Sequence, residues 1–362
     1  MHNRVRLYLS ALFYYTGLVK LTRWWLQRSG RSLIILYYHR AVGKNLRSQW
    51  LYLRRHYRIL PLDAALEELR MPSRKETHKR DRRPLLALTF DDGYYDNYTH
   101  AFALASALHV PITIFLIPGY TGLANAFWWA DRLICLARVD QVSFEEHTYS
   151  LNQQEERKAL AQIIDERVSS VVSKVDREQL LISICELLAV PSSAIPREEP
   201  APLLTWAQIR EMEESGWVSF GAHTLHHADL QRLTNPVEVL HEVGECRTML
   251  EQQLRHPADI FAYPYGNVGD YGLRAVEQAG YKWAVTTLPG CNTYQSNPYL
   301  LHRRNANATR HVLMVAAEVA GVWGFFTYLK RLAKLIVRLL HRTSIVLQHD
   351  EGSRIEKERV IL

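Results

Sequence analysis

The chain has 362 residues, 48% hydrophobic and 22% charged, a balance that excludes a disordered protein and supplies a large buried core. Forty-four Lys and Arg against 37 Asp and Glu give a net charge of +7, compatible with an anionic partner but naming none. The four cysteines, Cys135, Cys185, Cys246 and Cys291, form no CxxC pair, which excludes a disulfide-dense scaffold or a cysteine zinc module and fits a reducing compartment.

Leu7–Val19 is an apolar stretch between Arg4/Arg6 and Lys20/Arg23, shorter than the roughly 20 residues of a spanning helix. It has the basic start and apolar length of a signal peptide, with no A-x-A-like cleavage site after it. The segment continues through Leu21, Trp24, Trp25 and Leu26 and reads as a helix lying in a membrane interface, where aromatic rings and basic side chains are both favoured. A helix packed on the barrel and an uncleaved signal anchor are the alternatives.

Short apolar runs then alternate with helical patterns, as in the βα units of a parallel sheet. The expected strands are Ser32–Tyr38, Leu85–Phe90, Ile112–Ile117, Trp217–Gly221, Ile260–Tyr263, Trp283–Thr287 and Tyr299–His302. Expected helices include Leu62–Leu69, Trp206–Ser215 and Val237–Arg255. A basic run from Arg70 to Arg83 reads as a solvated loop, since no nucleic-acid motif accompanies it. The span 119–202 is longer than a single crossover needs. It holds Phe127, Trp128 and Trp129, a charged helical tract and Pro191, Pro196, Pro200 and Pro202, and reads as a helical insertion over the barrel mouth.

Towards the C-terminus, Lys330, Arg331, Lys334, Arg338, His341 and Arg342 gather on one helical face, with Leu332, Leu335, Ile336, Leu339 and Leu340 on the other. A basic amphipathic helix of this kind suits a membrane surface, and a solvated face on a packed helix is the plain alternative. The expected organisation is an interfacial helix over 1–31, a barrel over 32–310 and a basic helix with tail over 311–362.

The residues just past the strand ends carry the chemistry. His39 and Arg40 come after the first strand, Asp91-Asp92-Gly93 after the second, His223-Thr224-Leu225-His226-His227 after the fourth and Pro264-Tyr265-Gly266 after the fifth. In α/β barrels the carboxyl ends of the strands share one rim, so these groups are expected to converge. His223 and His227 can reach one ion, and a carboxylate from another strand completes a two-histidine, one-carboxylate site. Adjacent carboxylates point in different directions, so one can bind metal while the other accepts a proton. The plainer reading of Asp-Asp-Gly is a strand-ending turn, which accounts for Gly93 but not for the histidines. His226, between the two ligands, is expected to be structural.

The segments Leu88-Thr89-Phe90-Asp91-Asp92-Gly93, Gly221-Ala222-His223-Thr224-Leu225-His226-His227 and Phe261-Ala262-Tyr263-Pro264-Tyr265-Gly266 resemble the first three motifs of the polysaccharide deacetylases, the NodB-homology group of carbohydrate esterase family 4. Tyr38-His39-Arg40-Ala41-Val42, Trp128-Trp129-Ala130-Asp131 and Trp283-Ala284-Val285-Thr286-Thr287 resemble an exopolysaccharide-assembly branch of that group. The resemblance spans about Leu33 to Asn305. It implies an α/β fold, a distorted (β/α) barrel of NodB type with a helical insertion and helical N- and C-terminal extensions. It further implies removal of N-acetyl groups from amino sugars with a divalent metal, most often zinc, with cobalt, nickel and iron also suited to such ligands.

On that pattern Asp91 matches the general base, Asp92, His223 and His227 the metal ligands, and the backbone N–H of Tyr265 an oxyanion donor. Many relatives begin the third motif with an arginine that orients the catalytic aspartate; this chain has Ala262, and Arg40, Arg303 and Arg304 are the possible substitutes. The histidine that protonates the leaving amine is expected to be His302, with His349 and His39 as alternatives. The leading expectation is a de-N-acetylase acting on an N-acetylated glycan or lipid-linked saccharide, peripheral at the inner, cytoplasmic face of a membrane and without nucleic-acid partners. The competing reading is a catalytically weak barrel that binds glycan or organises a synthesis complex.

Overall fold

The computed structural model of the chain describes residues 3–28, 32–71, 81, 83–122, 134, 137–171, 173–190, 203–231 and 233–324. The Trp128-Trp129 patch, most of the basic run before Arg83, the proline-rich stretch, the basic amphipathic segment and His349 lie outside these residues. The chain divides into two compact units, one of 29–312 and one of 1–28 with 313–362.

The larger unit is built on parallel strands β1 (Leu33–Tyr38), β2 (Arg58–Ile59), β3 (Leu85–Phe90), β4 (Ile112–Leu116), β7 (Val218–Ala222), β8 (Ile260–Ala262), β9 (Trp283–Val285) and β10 (Arg304–Asn305). They lie in the order β10-β1-β3-β4-β7-β8-β9, with β2 also paired to β3. Every residue of β1, β3 and β4 is buried, as expected of near-continuous apolar runs covered on both sheet faces. Leu33, Ile35, Leu85, Ala87, Phe115, Ile260, Ala262, Val285 and Leu301 form a common core with the apolar stripe Leu62, Ala65, Leu66 and Leu69. That stripe belongs to α4 (Leu62–Arg70), where spacings of three and four place it on one face.

The expected strand Tyr299–His302 forms differently. Leu301 makes an isolated parallel bridge to Val285, and pairing then passes to Arg304 and Asn305 against Leu36 and Tyr37. The segment therefore touches both edges of the sheet and curls it towards a distorted barrel. Between these pairings, the Asn292 side chain replaces a strand neighbour: the His302 N–H donates to its Oδ1 at 2.8 Å, and its Nδ2 donates to the His302 carbonyl at 2.9 Å.

The insertion is not wholly helical. It contains an antiparallel hairpin, β5 (Gln141–Phe144) and β6 (His147–Ser150), ahead of α6 (Gln154–Ser170) and α7 (Lys174–Leu187). Val142 and Tyr149 are buried with Leu160, Ile164, Ile184 and Leu188 in a core separate from the barrel's. Back on the barrel, α8 (Trp206–Glu214) starts with a capping box of Thr205 and Gln208, and α9 (Pro236–Leu254) with Asn235 followed by proline. Among the described residues this unit also has α3 (Leu46–His56), α5 (Ala103–Leu108), which continues a π-helical turn at Asn97–Phe102, and α10 (Gly269–Gln278).

In the smaller unit, α1 (Asn3–Tyr15) and α2 (Leu18–Arg28) join at Gly17, whose φ of 81° favours glycine. Arg6 pairs with Glu318 at 2.7 Å, and Phe13 meets Trp323 edge-on; Glu318 lies on α11 (Val312–Val319). No helix among the described residues is long and apolar enough to cross a membrane.

Candidate active site

β1 and β3 pair in register to their last residues, Tyr38 opposite Phe90, and the Asp91 N–H donates to the Tyr38 carbonyl at 2.9 Å. Beyond that bond the two carboxylates separate. Asp92 takes a left-handed conformation with φ 73°, followed by Gly93 at φ 69°, where a side chain would strike Leu116. The turn sends Asp91 and Asp92 to different partners.

Asp92 meets the histidines. The His223 N–H donates to the Leu116 carbonyl at 2.9 Å, extending the β4–β7 ladder, and the chain then turns through left-handed Thr224 (φ 58°) and His227 (φ 57°). Nε2 of His223 and Nε2 of His227 each lie 3.4 Å from Asp92 Oδ1. The three ligand atoms lie within 4.8 Å of one another, and all three residues are buried. Left-handed backbone at residues other than glycine costs roughly 1–3 kcal/mol each, and Asp92, Thr224, His227 and Tyr265 concentrate that strain around one point.

The donor set fits a divalent cation. Asp92 Oδ1 is buried without a hydrogen-bond partner, which is costly for a carboxylate oxygen unless a cation satisfies it. His223 Nδ1 is 2.7 Å from the Ala262 carbonyl, so Nδ1 carries a proton and Nε2 is the ring atom turned to Asp92, where it donates when protonated and would offer its lone pair to a cation. Burial opposes ionisation of Asp92, but the imidazoles of His223 and His227 outweigh it and hold its carboxyl well below the usual range. His226 is structural, as expected: its N–H donates to Glu242 Oε2 at 2.9 Å, and its Nδ1 lies 2.8 Å from Glu242 Oε1. The Leu225 N–H donates to the Glu242 carbonyl, so one residue of α9 holds the loop between the two ligands by three bonds. At Gly119 a side chain would strike the Leu225 carbonyl and the His226 ring.

Asp91 meets Arg303, the one of the three possible substitutes that reaches it. Arg303 is fully buried, with Nη1 2.6 Å from Asp91 Oδ1 and Nη2 2.9 Å from Oδ2. It also donates to the Thr286 carbonyl and Thr89 Oγ1, and its guanidinium lies 4.6 Å from the Tyr37 ring centroid. Burial works against the charge on Asp91; Arg303, with His223 and His39, outweighs it and keeps the carboxyl below the usual range. Arg40 pairs instead with Asp96 and lies over Tyr94, and Arg304 donates to the Gly290 carbonyl. The Ala262 side chain is part of the barrel core.

Tyr265 sits in a 3₁₀ turn (Pro264–Gly266) with φ 57°, its ring 4.9 Å from that of His227 at a steep angle. Next to it, Asp229 accepts from Asn267 Nδ2 at 3.0 Å and joins the His227 loop to this turn. His39 comes directly after β1 and is exposed, at the same strand-end rim as Asp91, which follows the neighbouring β3. His302 lies against Gly290, with Nδ1 buried and unpartnered. Glu242, Asn292 and Asp229 left no trace in the sequence, because each acts through a contact that only folding creates.

A curled parallel barrel carrying a buried Asp-His-His cluster and a separately held aspartate at its strand ends defines a protein of the metal-site hydrolase class. The sequence model of the polysaccharide deacetylase family matches residues 78–177 and 171–284, more than half of the chain, and the chain belongs to that family. Over 100 residues it is 33% identical to YxkH of Bacillus subtilis (strain 168), whose name places it among the polysaccharide deacetylases; the match covers 28% of this chain and 35% of that protein, so it spans about a third of that relative's length. Two solved structures share the fold: IcaB from Ammonifex degensii (TM-score 0.52, 18% identity) and the Streptococcus pyogenes deacetylase PplD in complex with acetate (TM-score 0.50, 19% identity). Each comparison covers 80% of this chain and 98% of the other.

Proposed function

We propose that the protein is a metal-dependent hydrolase that removes N-acetyl groups from the amino sugars of a glycan. One observation carries this reading: three buried ligand atoms converge beside a second aspartate that is kept off the cluster by Arg303. Asp92, His223 and His227 would hold the ion, with zinc the best match to two imidazoles and a carboxylate. When bound, a divalent ion supplies Lewis-acid polarisation of the acyl carbonyl and of water.

The protein's own groups do the rest. Asp91, ionised and fixed by a two-point guanidinium contact, accepts the proton of the attacking water. The backbone N–H of Tyr265, in the turn whose ring packs against His227, would donate to the acyl oxygen as negative charge develops on it. The leaving amine needs a proton. We assign that role to His39 in preference to His302, because His39 is exposed at the end of β1 beside the strand that carries Asp91, whereas the His302 ring lies against Gly290 with Nδ1 buried. A substrate still attached to a lipid carrier fits the apolar, basic N-terminal segment.

The test is acetate release from N-acetylglucosamine oligomers and a lipid-linked analogue, after metal stripping and repletion with zinc or cobalt. Asp91→Asn serves as the blank. Metal-dependent release that is lost in the variant supports the reading. Tight metal binding with no release from any acylated amino sugar overturns it in favour of a glycan-binding scaffold.

A further inference from the structure

The first 28 residues contain five cations, Arg4, Arg6, Lys20, Arg23 and Arg28, and no Asp or Glu. On α1 the residues Arg4, Val5, Tyr8, Leu12 and Tyr15 are all exposed, Tyr8 at 73% and Tyr15 at 79%. At the helical period they fall within about 100° of arc. Ser10 and Phe13 are buried. On α2 the pattern repeats: Lys20, Leu21, Trp24, Trp25 and Arg28 are exposed while Val19 and Thr22 are buried. The Arg28 guanidinium lies 4.3 Å from the Trp24 ring centroid, so a cation and an indole share one patch.

Large apolar and aromatic side chains displayed in this way mark an interaction surface rather than a solvated one. Two features choose the occupant. A second copy of the same face would set cation against cation with no acid to relieve them, whereas an anionic surface complements them. The face also mixes Trp and Tyr with Lys and Arg, the composition favoured where hydrocarbon meets charged headgroups. With 13 and 11 residues, the helices are too short to span a bilayer but long enough to lie in its surface.

We propose that the exposed faces of α1 and α2 form a monotopic docking surface for anionic phospholipid, with Tyr8, Leu12, Tyr15, Leu21, Trp24 and Trp25 entering the interface and Arg4, Lys20 and Arg28 meeting the headgroups. This surface belongs to the smaller unit alone and does not depend on the deacetylase chemistry of the larger one.

Flotation of the full chain tests it, using phosphatidylcholine vesicles with and without about 30% phosphatidylglycerol. The chain is expected to float with the anionic vesicles at low salt, and at least about tenfold less with neutral vesicles or in high salt. Trp24→Ser with Trp25→Ser, and separately Lys20→Gln with Arg28→Gln, should each reduce partitioning at least about tenfold with an unchanged circular dichroism spectrum and melting midpoint. Should either pair disturb folding, quenching of the intact chain's tryptophan emission by brominated lipid gives the answer, with quenching expected. Recovery in the soluble fraction at low salt, equal binding to neutral and anionic vesicles, absence of quenching, or a lipid-free dimer dispersed by the tryptophan pair would each overturn the proposal.

Discussion

Arg303 and Asp91, 212 positions apart in sequence, meet in a two-point contact of 2.6 and 2.9 Å with the arginine fully buried. Geometry of this kind fixes the plane of a carboxylate, which a lysine's single point of charge does not do. The segment carrying Arg303 bridges β9 at Leu301 and joins β1 at Arg304, so the closure of the sheet and the placing of the arginine are one event.

Removing that guanidinium should therefore affect both stability and proton transfer. Arg303→Met leaves a buried carboxylate without its partner, and a loss of about 3–5 kcal/mol is expected in denaturant unfolding. Asp91 titrates below the usual range when folded, so the pair's contribution is complete above about pH 4 and fades as pH falls through the folded value. In the variant the Asp91 pKa rises, and the acidic limb of the pH–rate profile should move upward by at least about one unit. An unmoved limb would show that Arg303 does not tune Asp91.

The buried, unpartnered Asp92 Oδ1 predicts a dependence on metal for stability as well as turnover. Stripping the ion should lower the melting temperature, and zinc should restore it through its preference for the folded state. Asp92→Asn, His223→Ala and His227→Ala should each weaken zinc affinity by at least about 100-fold in competition with a chelating dye.

His39 and His302 give opposite expectations. His39→Gln should lower kcat by about 100-fold or more, the range of a lost general acid, with little change in metal affinity. His302→Gln should leave kcat within about threefold, because its ring lies against Gly290 and its backbone is held by Asn292. Steady-state kinetics on one soluble oligomer separate the two, and the reverse result would return the acid role to His302.

Glu242 should behave as a residue that positions others. Glu242→Ala frees the loop between the two metal-ligating histidines and should weaken zinc binding about 10- to 100-fold. Glu242→Gln keeps an acceptor for the His226 N–H and should recover much of that loss. Equal metal affinity in both variants and the parent would show that the loop holds its shape unaided.

Features that depend on neighbours along the chain were legible in the amino-acid sequence. Apolar runs marked β1, β3 and β4 to within a residue or two at each end, since strands buried on both faces read as unbroken hydrophobic stretches. Asp91, Asp92, His223 and His227 stood out because chemistry at strand ends leaves short polar clusters after such runs. It could not choose among Arg40, Arg303 and Arg304, since that choice depends on which guanidinium the closing sheet delivers to Asp91. Nor could it mark Asn292 and Glu242, whose roles arise from single hydrogen bonds between distant segments. The hairpin in the insertion was missed for a related reason: its two short strands are half exposed, and their pairing is stabilised by α6 and α7. Periodicity is a local property and survives in a string of letters. The partner of a buried charge is decided only when the sheet curls and brings its two edges to one segment.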